Sequence, residues 1–396
     1  MGDTAIIRGL NNGFNQKGVR DHNERLILTL LQRHGQLTAT DIAKRAQVSA
    51  QTVSVILRKL ENDGLTAKGA PIKGRVGKPS IPIALNPDGA LSVGVKIGRR
   101  SCDFCLTNLS GRVLFTRRIH YSGAAPRDIF AFLRDSLETV VNQIGDQRAA
   151  KLSGVGVAIP FEMWRWKEAS GNALQQFDQW QDVDLRREIH AIAQLPVFVI
   201  NDATSACWAE HIYGRGREFQ DYAYFFVSSF IGGGIVVNQN VHEGSRGNAG
   251  ALGSIRVARP KSGVCQLVDV ASIHVLEKEL VAAGFNPTEL WHQPQNWDGF
   301  GGIVDTWLNA SAEALAQACL STCAVIDFEA VLIDGALPTN VRTALVEKIR
   351  AHVQTSDTRG IIVPRIEEGS IGSEARAIGA ACGPIYAQYF LSPRSR

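Results

Sequence analysis

No stretch of this chain is apolar for long enough to cross a bilayer, and its first residues lack the apolar core of an export signal. A membrane protein and a secreted one are therefore not expected; a cytoplasmic protein is. Cysteine is sparse and scattered: seven residues at 102, 105, 207, 265, 319, 323 and 382 give neither a disulfide framework nor a set of zinc ligands. Cys102 and Cys105 fall in an alternating strand pattern and read as small core residues pointing to one side. Cys319 and Cys323, four apart on a predicted helix, read as buried packing. Neither sign of charge dominates: 42 Lys and Arg against 38 Asp and Glu leave a net charge of only +4 on 396 residues.

That small net charge is unevenly spread. Residues 1–80 carry 13 Lys and Arg against 6 Asp and Glu, whereas the remainder carries 29 against 32. A basic N-terminal fifth on a neutral to acidic body points to a nucleic-acid module joined to something else. The length suffices for two or three domains with proper cores, and 45% apolar and 20% charged residues are ordinary for a globular chain.

The N-terminal fifth has the spacing of a helix-turn-helix. Leu26, Ile27, Leu30 and Leu31 stripe a first helix over 22–33, which Gly35 ends. Thr38 caps a second helix, with Asp41 three residues on as the short form of a capping box. Gln47-Val48-Ser49 makes the tight turn, and a third helix over 50–62 buries Val53, Ile56, Leu57 and Leu60. Ser49, Gln51, Thr52, Ser54 and Arg58 then lie on its polar side, where such side chains reach phosphates and base edges in a major groove. Residues 65–67 and 81–85 can pair as a wing, and the glycine-rich basic loop between them, with Arg75 and Lys78, can follow a phosphate backbone. Double-stranded operator DNA is the partner these features imply.

The body opens with three strands at 91–97, 101–109 and 112–121, then a helix over 127–144 and a strand over 152–159. A similar order recurs later, with strands at 222–227, 234–237, 331–335 and 361–364, helices from about 302 and over 339–352, and a small-residue helix over 373–383. Between the halves, residues 197–256 run from strand to Asn201-Asp202-Ala203, then to Gly232-Gly233-Gly234 and a polar glycine loop around Asn248. A carboxylate at a strand end, with glycines that let backbone approach a ligand, describes an α/β cleft for a small polar molecule. Asp202 there is either a ligand contact or merely the cap of the following helix.

These motifs together resemble the two-lobed actin-like ATPase fold of sugar kinases, and more closely the ROK family of bacterial sugar kinases and sugar-responsive repressors. The resemblance rests on residues 74–79 of the N-terminal module, Asn201-Asp202-Ala203, Ile231-Gly232-Gly233-Gly234-Ile235, Gly247-Asn248-Ala249-Gly250 and Gly372 followed by Ala377-Ile378-Gly379-Ala380-Ala381. It implies an α/β body behind a winged helix-turn-helix: residues 1–85 as reader, 86–200 as first lobe, and 201–396 as second lobe, with helix 373–383 returning to the first. It places the chain in the regulator branch, as a homodimer or homotetramer on a palindromic operator. A small sugar or polyol would bind between the lobes at Asn201, Asp202, Asn248, Asn172 and Gly233. An ATP-dependent sugar kinase with a DNA reader is the alternative.

Against the family pattern, several positions differ. Lys96-Ile97-Gly98-Arg99-Arg100 stands where kinases have Asp-x-Gly-Gly-Thr, Phe230 enters the second phosphate loop, and Asp334-Gly335-Ala336 replaces a glycine triplet. Ala251 and Ser254 replace the Glu and His of the sugar and zinc sites, and only Cys265 remains nearby, so Leu252, Val257, Val264 and Leu267 are expected to pack where the metal would be. Trp164 and Trp166 follow a strand that usually ends in Gly-x-Pro-Gly, either stacking on sugar or packing. The resulting expectation is a body that is not an enzyme, with no catalytic residue, cofactor or metal.

Overall fold

The computed structural model describes residues 16–71, 80–121, 123, 125–161, 178–259 and 263–391, and the chain divides into two compact units. The smaller comprises the chain up to Leu91, the short stretch Asn108–Arg112 and the residues from Ile385 on. Its helices are Gln16–His34, Ala39–Ala46 and Ala50–Asn62. Thr38 Oγ accepts from the Asp41 amide at 3.2 Å, and the Asp41 carboxylate accepts in return from the Thr38 amide and hydroxyl. That capping box starts the second helix where two orphan amides would otherwise be unsatisfied. Gln47 turns the chain in the left-handed region (φ 54°), and Ser49 caps the third helix by accepting from the Thr52 amide at 3.1 Å.

The wing is a three-stranded sheet in which β3 (Pro82–Leu85) lies between β1 (Leu37–Thr38) and β2 (Thr66–Lys68), with Thr66 opposite Leu85. Ile27, Leu31, Ile42, Val53, Ile56 and Leu60 form its core, joined by Leu109, Ile385 and Phe390 from far along the chain. The Leu391 amide donates to the Thr29 hydroxyl at 3.0 Å.

The larger unit holds two five-stranded sheets with one plan. The first runs β6-β5-β4-β7-β8, where β4 is Leu91–Ile97, β5 Ser101–Asn108, β6 Val113–His120, β7 Leu152–Ile159 and β8 Val197–Asn201. The second runs β11-β10-β9-β14-β15, where β9 is Tyr222–Val227, β10 Ile231–Val237, β11 Asn240–His242, β14 Ala330–Gly335 and β15 Arg365–Glu368. In each, the strands lie in the order third, second, first, fourth, fifth, and the fifth pairs parallel with the fourth. Helix Asp202–Tyr213 follows the fifth strand of the first sheet, and helix Ala375–Tyr389 that of the second.

Close glycine contacts seat these two helices. A Cβ on Gly156 would strike the Ala380 carbonyl, and one on Gly379 the Ser205 carbonyl. Small residues are thus required where helix meets strand and where the two helices cross. The Ser205 hydroxyl also donates to the Arg376 carbonyl at 2.6 Å across that crossing.

Three local expectations are corrected. The late strand is Arg365–Glu368, not 361–364: Ile362 and Val363 are 75% and 46% exposed, and only Ile366 turns inward. Cys102 and Cys105 are both buried, but their odd spacing on β5 puts them on opposite faces of the sheet. Leu252, Val257 and Leu267 are buried in one cluster, whereas Val264 is 68% exposed on the β12–β13 hairpin, with β12 at Arg256–Arg259 and β13 at Gly263–Gln266.

Candidate functional site

Within the larger unit, a cavity of about 580 Å³ opens between the two sheets. The Gly98–Ser101 turn, β5 and Asn201-Asp202 at the end of β8 line it from the first sheet, the Ser228–Gly232 turn lines it from the second, and the Asn248 loop adds to the lining. It lies beyond the end of β8, where a strand gives way to a helix, as ligand clefts in α/β folds commonly do.

Asp202 begins its helix without capping it. The cap is Asn201, whose Oδ1 accepts from the amides of Ala203 at 3.0 Å and Thr204 at 3.1 Å. The Asp202 carboxylate instead meets Arg376 Nη1 at 3.3 Å. Arg376 comes from the last helix, and its guanidinium lies over the Phe226 ring at 5.1 Å. Asn201, Asp202 and Asn248 all line the cavity. Gly233 does not: it sits in β10 beneath Leu252, and Gly232 is the residue that lines the site. Asn172, Trp164 and Trp166 lie outside the described residues.

In the first sheet, buried Lys96 donates to the Ser101 hydroxyl at 2.9 Å and reaches Asp103 at 3.4 Å. Burial pulls its ammonium down to about 8, although Asp103 works in the other direction. Burial alone would raise Asp103, yet the charges of Lys96, Arg118 and Arg376 hold its carboxyl below the usual range. Arg118 donates to the other Asp103 oxygen. The Arg99 guanidinium stacks over Phe230 at 4.8 Å, and Arg100 pairs with buried Glu277 at 2.7 Å. Glu277 is further held by Trp291 Nε1 at 2.7 Å and by His274 at 3.3 Å. Sequence reasoning missed Arg376, Arg118 and Asp103, which the fold gathers from separate elements and which no short motif marks.

Asp334 serves a different end. Fully buried in β14, it accepts from the Tyr224 hydroxyl, the Gly372 amide and Arg342, each at 3.0 Å. With Glu210, which accepts from the amides of Ser370 and Ile371 at 2.9 and 3.1 Å, it fixes the loop that leads into the last helix. Ala251 and Ser254 line the cavity. Among the described residues, no three His, Cys, Asp or Glu gather where they could hold a metal ion.

In the smaller unit, Gln51, Ser54 and Arg58 are exposed on helix Ala50–Asn62. Ser49 and Thr52 bond each other at 2.8 Å as part of the cap. Arg75 and Lys78 lie outside the described residues. No helix among the described residues is long and apolar enough to cross a membrane.

Comparison with known proteins matches residues 92–267 to the ROK family and residues 20–65 to a winged helix-turn-helix DNA-binding family. The xylose repressor of Bacillus subtilis is 21% identical over 242 residues, covering 61% of this chain and 62% of that protein. The N-acetylmannosamine kinase of Vibrio vulnificus is 30% identical over 161 residues, 38% of this chain and 53% of the kinase. This chain thus spans less than two thirds of the length of either. Among solved structures, a ROK family transcriptional regulator, a homolog of the E. coli MLC protein, is 21% identical with a TM-score of 0.67, covering 94% of this chain and 97% of its own.

The kinase match overturns one expectation. A body that is not an enzyme was inferred from its altered phosphate turns and lost zinc ligands, but that body aligns at 30% identity with a sugar kinase, and solved sugar kinases share its fold. Altered turns therefore do not set it apart from enzymes. Residues 92–267 carry the ROK family match and residues 20–65 the winged helix-turn-helix match, so a winged helix-turn-helix precedes a two-lobed sugar-kinase-like body.

Proposed function

We propose that the protein is a DNA-binding transcriptional regulator, a repressor, whose hold on a double-stranded operator is set by a small carbohydrate or polyol in the cleft. In this reading residues 1–85 read the duplex, and 86–200 and 201–396 supply the lobes, with helix 373–383 returning to the first. The carrying observation is the capped helix Ala50–Asn62 with Gln51, Ser54 and Arg58 on its open face, in a chain whose cleft turns Asn201, Asp202 and Asn248 toward one cavity. Ser49 and Thr52 order the start of that helix; Arg75 and Lys78 of the wing loop would add phosphate contacts. Two copies in a homodimer, or four in a homotetramer, would match a palindrome. The effector must prefer one arrangement of the lobes to act on DNA affinity.

Selection of bound fragments from the protein's own genome, followed by fluorescence anisotropy on the recovered duplex, tests this. Arg58→Ala should weaken binding about tenfold and flatten its salt dependence. Unchanged affinity would remove helix Ala50–Asn62 from the interface.

A second reading is supported by the sugar-kinase similarity and by the Asp202 carboxylate, which is not spent on capping. The cleft would then position a sugar hydroxyl against Asp202 as general base for phosphoryl transfer. The turn at Arg99 and Arg100 offers guanidinium groups to a phosphate, while Lys96 stands where the family holds magnesium with Asp. Turnover of ATP with a panel of sugars, abolished by Asp202→Asn, would establish it.

A further inference from the structure

The charge on the cavity wall is lopsided. Among the described residues, five cationic side chains line it, Lys96, Arg99, Arg100, Arg118 and Arg376, against the carboxylates of Asp103 and Asp202. Glu277 behind Arg100 is a third carboxylate, which still leaves an excess of two positive charges among the described residues. Lys96 and Arg118 share Asp103, Arg376 shares Asp202, and Arg100 has Glu277. Arg99 lies against an aromatic face, and burial together with the neighbouring Arg100 charge pulls it down to about 10. Nε of Arg100 and Nε of Arg376 are buried without a hydrogen-bond partner among the described residues.

Like charges crowded into a partly desolvated space repel, and buried donors without acceptors carry a desolvation cost. A neutral sugar's hydroxyls can accept from those donors but would leave the charge repulsion in place. An anion would relieve both, through charge-assisted bonds that a guanidinium fork makes well. Asp202, Asn201 and Asn248 supply hydroxyl partners in the same cavity.

We propose that the cleft takes an anionic carbohydrate, a monosaccharide bearing a carboxylate or a phosphate, with its hydroxyls toward Asp202 and its charged group at the Arg99–Arg100 turn. The proposal rests on the reading of this cleft as a carbohydrate site.

Titration calorimetry on the full chain tests it with matched sets: glucose, glucuronate and glucose 6-phosphate; galactose, galacturonate and galactose 6-phosphate; and ATP. At least one acid or phosphate should bind about tenfold more tightly than its neutral parent in low salt. Added salt should erode that advantage. Arg99→Gln should bring it close to parity. Salt dependence in the native chain supplies the same reading if the variant is poorly folded. Preference for the carboxylate or for the phosphate identifies the source of the charge, and either supports the proposal. Neutral parents that bind as well as their charged partners would overturn it and leave the carbohydrate site standing. Binding of ATP alone, or of nothing in the panel, would overturn both.

Discussion

The two sheets of the larger unit share one strand order, yet their corresponding hairpins are chemically unlike. Between β4 and β5 the turn is Gly98-Arg99-Arg100; between β9 and β10 it is Ser228-Ser229-Phe230. The first sheet carries an aspartate bridged to a lysine and an arginine across β4, β5 and β6, while the second buries an aspartate beneath a tyrosine hydroxyl and an arginine. Both turns face the cavity, and Arg99 lies on Phe230 where they meet. The shared strand order is a matter of packing and small residues, which both halves retain. The turn residues are free of that constraint, so chemistry can diverge there without disturbing the scaffold.

The largest effect should come from the feature the halves hold in common, the crossing of their two helices. Gly379→Val places a side chain against the Ser205 carbonyl and should cost about 4 kcal/mol, read as loss of the folded body in urea. A mild effect would mean that the helices can slide apart. Next, Asp334→Ala removes the acceptor from partly buried Arg342, from buried Tyr224 and from the Gly372 amide, and should cost about 3 kcal/mol. A comparable loss from the same change at Asp103, which retains more solvent, would mean that the halves bury charge equally. A pH-dependent effect concerns Lys96. Its ammonium falls from 10.5 unfolded to about 8 folded, so the unfolded chain holds more protons between those values and stability gains from this group as pH rises through them. The native chain should therefore gain stability relative to Lys96→Met from about pH 8 to about pH 10.5; no gain would place Lys96 in water.

Much of this architecture could be read from residue order, because capping and periodicity are local. Thr38 with Asp41, the Gln47 turn and the apolar face of helix Ala50–Asn62 announce themselves within a few residues. Asp202 was legible for the same reason, standing at the end of a strand. Its partner Arg376 was not: 174 positions away, in a helix whose alanines advertise only close packing, it reaches Asp202 through the fold alone. Glycine misled in the other direction. Gly232, Gly233 and Gly234 suggested a ligand loop, but all three are paired in β10, where Cβ atoms on Gly232 and Gly234 would strike Ala203 and Cys207. The apolar run at 361–363 looked like a strand because hydrophobicity is a proxy for burial, and there the proxy failed.

The presence of Ile385 and Phe390 beside Ile27 and Leu31 has a practical outcome. The smaller unit is stitched from segments some 362 positions apart, so a shortened clone that stops after the wing would leave apolar side chains uncovered. A stop before Ile385 would injure the reader unit far upstream of it.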